Sequence, residues 1–223
     1  AAADGARRYD ALRNRVWIEP MLLGRYPEDA VEDLAAFGEL PVQGGDLARI
    51  AQPLDWLGIN YYNDDHVRAE PGGSWLATPG MKDAVPFAPD GEHTDMGWPI
   101  TPDGLRALLV GLKATYPGLP PIYITENGCA YDDPVVGGRC HDARRIAYLD
   151  AHLRAVHDAI EKGVDVRGYF QWSLMDNFEW SHGYHKRFGI VHVDFETLVR
   201  TPKDSAFWYR EVISRNGLDS VLD

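Results

Sequence analysis

The sequence predicts an α/β fold built on a parallel sheet, because strand-like and helix-like segments alternate through most of its length. Two observations carry that prediction. Short apolar runs ending in polar residues, at 55–60, 121–125 and 164–174, have the length and composition of buried strands. Apolar residues at helical spacing, closed by Gly or Pro-Gly, follow each of them. Strand–helix–strand order implies right-handed crossovers and parallel pairing. Three strands can neither close a barrel nor cover both faces of a sheet, so the expected fold is incomplete on its own.

The elements follow in order. Ala1-Ala2-Ala3-Asp4-Gly5-Ala6-Arg7-Arg8 reads as helix and lacks the apolar segment of a signal peptide, so a cytoplasmic location is expected. The strand at 55–60 leads into a Gly- and Pro-rich stretch, 64–99, read as irregular and long enough to be functional. Thr101-Pro102 starts a helix, Thr as N-cap and Pro in the first position, with Leu105, Leu108, Leu109 and Leu112 as its apolar stripe and Pro117-Gly118 as its stop. After the strand leading to Glu126, a polar loop reaches Arg144. Ile146, Leu149, Leu153, Val156 and Ile160 then mark a second helix, which Gly163 ends. The strand at 164–174 precedes a last helix, expected from Thr201-Pro202 to Asn216-Gly217.

Composition removes several function classes. With 223 residues, 45% of them hydrophobic, the chain can bury one sizeable core but not two comfortable ones. A formal charge of −12 argues against nucleic acid and anionic membranes as partners, and no apolar run is long enough to span a bilayer. Cys129 and Cys140 are too few for a disulfide scaffold or a four-cysteine metal site, and both two free thiols and a loop-closing disulfide remain open. The eight histidines show no metal-ligand spacing. His66, His93, His141, His152, His157 and His192 read as surface or hydrogen-bonded residues.

The chemistry concentrates at two strand ends. In Pro121-Ile122-Tyr123-Ile124-Thr125-Glu126-Asn127-Gly128, a carboxylate lands where the strand stops, and Asn-Gly turns the chain away. The rim of a parallel sheet is where such a group is placed for reaction. The third strand ends in Gln171-Trp172-Ser173-Leu174-Met175-Asp176-Asn177-Phe178-Glu179-Trp180. Sugars have apolar C–H faces and hydroxyl edges, so a site for them needs aromatic platforms beside carboxylates. Trp172, Glu179 and Trp180 are those residue types, whereas Tyr169, Phe170 and Phe178 read as core.

Five runs in order, Gly58-Ile59-Asn60-Tyr61-Tyr62, Met96-Gly97-Trp98, Tyr123 to Gly128, Trp172 to Trp180 and Lys186-Arg187-Phe188-Gly189, resemble the C-terminal part of glycoside hydrolase family 1 β-glucosidases. The resemblance extends over essentially the whole chain. It implies strands six to eight of a (β/α)8 barrel, one catalytic barrel whose N-terminal part lies outside this chain, and retaining hydrolysis of terminal β-D-glucosyl residues. It implies Glu126 as the nucleophile, Tyr62 as the phenol orienting it and Asn60 as a neighbour on the same floor. Trp172 resembles the platform under the sugar, Glu179 the residue bridging two ring hydroxyls, and Trp180 an indole donor beside it. Phe188 is expected to close that subsite, and Trp98 to be the aglycone-side platform. A cis peptide between Trp172 and Ser173 is implied as well, and no metal or cofactor. The expected partners are a β-glucoside or oligosaccharide substrate and the N-terminal part of the barrel.

One departure stands out. The family's acid/base, in an Asn-Glu-Pro motif, has no counterpart: the Glu-Pro pairs are Glu19-Pro20 and Glu70-Pro71, preceded by Ile18 and Ala69. Retaining hydrolysis needs two carboxyl groups roughly 5–5.5 Å apart. A non-catalytic sugar-binding partial barrel and a 6-phospho-β-glycosidase are the alternative readings. The carboxylate of Glu179 weighs against the second, because it repels a phosphate.

Overall fold

Alanine-, leucine- and arginine-rich sequence with few β-branched residues favours helix at the start of the chain. In the computed structural model, which describes residues 2–74 and 82–218, this part forms α1 (Ala2–Asp10), a π-helical turn (Ala11–Arg15), α2 (Val16–Leu23), α3 (Glu28–Leu34) and α4 (Asp46–Ile50). Gly24, at φ 66°, closes α2 in the left-handed conformation that glycine takes without strain. Three strands follow: β1 (Leu57–Asn60), β2 (Val67–Ser74) and β3 (Lys82–Pro86).

The four helices and the antiparallel β2–β3 hairpin belong to one compact unit. Tyr9 and Ala84 are buried together with Val67 packed against them, and Tyr9 Oη donates to Asp65 at 2.7 Å. The hairpin corrects the reading of 64–99 as irregular. Apolar–polar alternation begins at Val67-Arg68-Ala69-Glu70, and Pro71-Gly72-Gly73 directly after it hides the strand signal.

The remaining elements are α5 (Pro102–Thr115), β4 (Ile122–Asn127), β5 (Val135–Val136), β6 (Arg139–Cys140), α6 (Ala143–Glu161), β7 (Val166–Gln171), β8 (Val191–Val193), β9 (Arg200–Pro202) and α7 (Asp204–Arg215). With β1 they make the second unit. Its centre is a three-stranded sheet in the order β1-β4-β7, parallel throughout, as the alternation predicts. Ile122 and Ile124 are fully buried on one face. On the other, Gly58, Tyr123 and Gly168 lie side by side in register. A Cβ on Gly168 would stand 2.5 Å from the Tyr123 ring, so glycine there makes room for the phenol. This second face is open: Trp56, edge-on to Tyr123 at 5.5 Å, is 52% exposed and Phe170 57%.

Phe170 and Phe178 therefore depart from the core reading. Phe170 stands on the open face and Phe178 on a projecting loop, whereas Tyr169 packs against the core as expected. The last helix begins later than expected. Thr201 and Pro202 pair with β8, and Lys203 is still extended, so α7 starts at Asp204; Asn216, in the left-handed region, ends it. The loop before α6 holds the short β5–β6 hairpin, turned by Gly137 and Gly138 at φ 58° and 77°. Cys129 and Cys140 are buried free thiols. Helix α6 buries Arg145, Tyr148, Leu149, His152, Ala155, Val156 and Ala159, a row rotated from the predicted stripe, and leaves Ile160 exposed. Among the described residues no helix is long and apolar enough to cross a membrane.

Candidate active site

Strand β4 runs through Glu126 and Asn127, placing the Glu126 carboxylate on the rim at the C-terminal end of the sheet. Tyr62, just past the end of β1, donates its phenol to Glu126 Oε2 at 2.8 Å. Burial raises the phenol pKa most, with further contributions from the hydrogen bond to Glu126 and the charges of Glu126 and Glu179. The phenol therefore stays protonated and remains a donor, and Glu179 shares the same electrostatic field. Asn60 pairs with Glu126 in the ladder, but its Oδ1 accepts from Thr125 Oγ1 at 2.7 Å. Its side chain lies exposed on the rim beside the Tyr62–Glu126 pair.

Two aromatic rings frame that pair. Tyr62 lies 5.2 Å from Trp98 and 6.1 Å, edge-on, from Phe188, and Trp98 and Phe188 are 6.0 Å apart. Phe188 is 1% exposed. The ring packs against Tyr62 and Trp98, two of the residues expected around the subsite.

Beneath the rim, Asn127 is fully buried and fully bonded. Its Nδ2 donates to the Tyr61 carbonyl at 2.7 Å and to Tyr148 Oη at 3.1 Å, while Tyr169 Oη donates to its Oδ1 at 2.5 Å. The Asn127 carbonyl accepts the Trp172 N–H at 2.9 Å, which ties the end of β4 to the segment after β7. A Cβ on Gly128 would meet the Trp172 carbonyl at 1.9 Å, so only glycine fits that approach. The Asn-Gly pair thus does more than turn the chain.

A buried charge network supports the loops. Arg145 pairs with Asp133 at 2.6 Å and Asp142 at 3.0 Å, and Arg187 pairs with Asp176 at 2.7 Å. Lys203 lies 3.4 Å from both Asp133 and Asp176. Arg145 also donates to the Cys129 carbonyl, next to the Asn-Gly turn, and to that of Phe188 at 3.4 Å. Sequence reasoning missed this network. Its one visible signal was Arg145, Tyr148 and His152 at helical spacing with Leu149. Burial pushes the Cys129 thiol up to about 12 and the Cys140 thiol up to about 11, so neither is a nucleophile near neutral pH.

Trp172 is partly buried, and its peptide bond to Ser173 is cis, as the resemblance implies. Beyond it the chain projects. Glu179 N–H donates to the Gly183 carbonyl at 2.7 Å, closing a turn in which Trp180 takes φ 43° and is 81% exposed. Glu179 is partly buried. Phe178 and Tyr184 meet edge-on at 5.3 Å at the base of the turn.

Comparison with known proteins places this arrangement. The profile described as Glycosyl hydrolase family 1 matches residues 2–218. The chain is 51% identical over 219 residues to "Thermostable beta-glucosidase B" of Thermobispora bispora, covering 96% of this chain and 44% of that protein. It is 46% identical to a "Bifunctional beta-D-glucosidase/beta-D-fucosidase" of Bifidobacterium breve, covering 95% and 48%. The crystal structure of a psychrophilic beta-glucosidase from Micrococcus antarcticus superimposes with a TM-score of 0.89 at 46% identity, over 97% of this chain and 49% of that one. The chain spans about half the length of the relatives it matches. It belongs to glycosyl hydrolase family 1 and carries the sixth to eighth strands of that family's (β/α)8 barrel.

Proposed function

We propose that the chain supplies the nucleophile-bearing part of a retaining β-glucosidase whose acid/base lies on the N-terminal part of the same catalytic barrel. The observation that carries this reading is the 2.8 Å hydrogen bond from Tyr62 to Glu126 at the C-terminal end of β4. An ionised carboxylate with one oxygen held by a phenol has its other oxygen oriented for attack. Glu126 forms a bond to the anomeric carbon as the glycosidic C–O bond breaks, and the partner carboxyl group gives its proton to the leaving oxygen. Water then adds to the same carbon, losing a proton to that group, and Glu126 leaves with the sugar's configuration retained. Trp172 forms the platform under the sugar. Glu179 accepts from two hydroxyls, with the Trp180 indole N–H beside it and Trp98 on the aglycone side. Asn60 lines the floor near Glu126, and Phe188, packed against Tyr62 and Trp98, closes the subsite.

The partner carboxyl group is not supplied by either Glu-Pro pair. Glu19 is buried within α2, and Glu70 lies in β2, where Arg68 pairs with it. The test is hydrolysis of an aryl β-glucoside by this chain alone and after assembly with the N-terminal part of the barrel. Turnover only in the assembly is expected. Sugar binding without turnover in the assembly would make the protein a binding module and overturn the reading.

A further inference from the structure

Tyr148 sits on the buried face of α6, behind the sheet, and its hydroxyl donates to the Tyr62 carbonyl at 3.1 Å. The same hydroxyl accepts from Asn127 Nδ2 at 3.1 Å. Asn127 in turn donates to the Tyr61 carbonyl at 2.7 Å, so two adjacent carbonyls of the segment after β1 are gripped from below. Tyr169 fixes the other end of the Asn127 amide at 2.5 Å. Tyr62 is thus held at its backbone by Tyr148 and at its phenol by Glu126, while Asn127 follows Glu126 in the strand. Every polar atom of the Asn127 side chain is engaged, so the amide has one orientation.

We infer that Tyr148 is a positioning residue for the Tyr62–Glu126 pair, acting through Asn127 and the Tyr62 backbone. This rests on the proposed role of Glu126 and adds a residue that touches neither substrate nor nucleophile. Through this one hydroxyl helix α6 reaches the ends of both β1 and β4, which the Tyr61 N–H also joins by donating to the Glu126 carbonyl at 2.9 Å. The Tyr148 ring, stacked on His152 at 3.9 Å, stays in place when that hydroxyl is removed. Tyr148→Phe therefore deletes the link while keeping the packing.

The experiment is a double-mutant cycle in the assembled enzyme, reading kcat/KM against pH with an aryl β-glucoside. Tyr62→Phe removes the hydrogen bond that favours the ionised carboxylate, so it should move the acid limb to higher pH. Tyr148→Phe should move the limb in the same direction and lower kcat/KM about tenfold. In Tyr62→Phe/Tyr148→Phe the second substitution should then add little to the limb shift, because the phenol it positions is gone. A merely structural Tyr148 lowers thermal stability but leaves the acid limb in place or adds its loss in full, and either result overturns the inference. Tyr169→Phe, which frees the other end of the Asn127 amide, should show the same non-additivity and serves if Tyr148→Phe does not fold. An unsubstituted assembly without turnover would count against the glycosidase reading itself, a result distinct from additive losses.

Discussion

The end of β4 and the loop at 178–184 are the two sides of the candidate site, and they are built on opposite principles. At β4, Glu126 and Asn127 sit in a strand, and each is bonded to a tyrosine. Buried tyrosines and a charge network of Arg145, Asp133, Asp142, Asp176, Arg187 and Lys203 lie behind them. In the loop, Glu179 is fastened through its backbone to Gly183, and Trp180 projects at 81% exposure. A group that must attack one atom needs its geometry fixed by the protein in advance. A group that grips a sugar's hydroxyls can take its final geometry from the ligand and from the rest of the barrel. The difference teaches that this chain pre-organises the proposed reacting centre and holds the proposed sugar-gripping edge more loosely.

The sharpest way to break that comparison is Glu126→Gln in the assembled enzyme. The amide still accepts from Tyr62, so the fold should persist, but it cannot form the glycosyl-enzyme. Loss of more than about a thousandfold in kcat/KM is expected. Activity within about tenfold of the parent would leave less than ~1.4 kcal/mol for Glu126 to explain and would remove it as nucleophile.

The loop side should give a smaller and substrate-dependent loss. Charge-assisted bonds are worth roughly 1.5–3 kcal/mol each, so two of them at Glu179 make a loss of about a hundredfold a conservative expectation for Glu179→Ala on a glucoside. A deoxy-glucoside lacking those hydroxyls should lose far less. Equal losses on both substrates would make Glu179 a structural residue and move the comparison's second half elsewhere. Trp180→Phe should raise KM several-fold with little change in kcat, since it removes one neutral indole donor; a collapse of kcat would place Trp180 at the reacting centre.

How much of this was legible follows from what local sequence encodes. The three parallel strands, α5 and α6 could be read because buried strands and amphipathic helices leave apolar patterns. Glu126 could be read because the strand signal stops beside it. The β2–β3 and β5–β6 hairpins were lost because Gly, Pro and Asp interrupt them, and β8–β9 because its strands are only three residues long and Thr201-Pro202 reads as a helix start until its pairing with β8 is known. The buried face of α6 was mis-set for a different reason. Arg145, Tyr148 and His152 count as polar in any hydropathy pattern, yet they lie inward because Asp133, Asp142 and backbone carbonyls accept their hydrogen bonds and Asn127 donates to the Tyr148 hydroxyl. Partners distant in sequence decided their burial. Phe170 erred the other way: it is apolar, but the described residues leave its face uncovered.

The smallest expected effect separates the two sides by acid. His152 is fully buried behind β4, stacked on Tyr148 and 6.1 Å from the Tyr61 ring, and its Nδ1 bonds the Tyr148 carbonyl at 2.8 Å. Burial pushes its pKa down to about 4, with the Tyr148 carbonyl opposing weakly. An unfolded histidine titrates near ~6.5, so between that pH and about 4 the unfolded chain binds a proton that the folded chain refuses. The stabilisation is whole above the unfolded value and is lost as pH falls toward the folded one, at most ~3 kcal/mol in all. Such a proton would strike the pre-organised side first, because the ring it enters lies against Tyr148. His152→Leu keeps an apolar filling and cannot titrate. Chemical denaturation of the assembled parent and the variant at about pH 7 and about pH 4.5 should show a steeper acid loss in the parent. Equal acid losses would mean that His152 is protonated in the folded state at little cost.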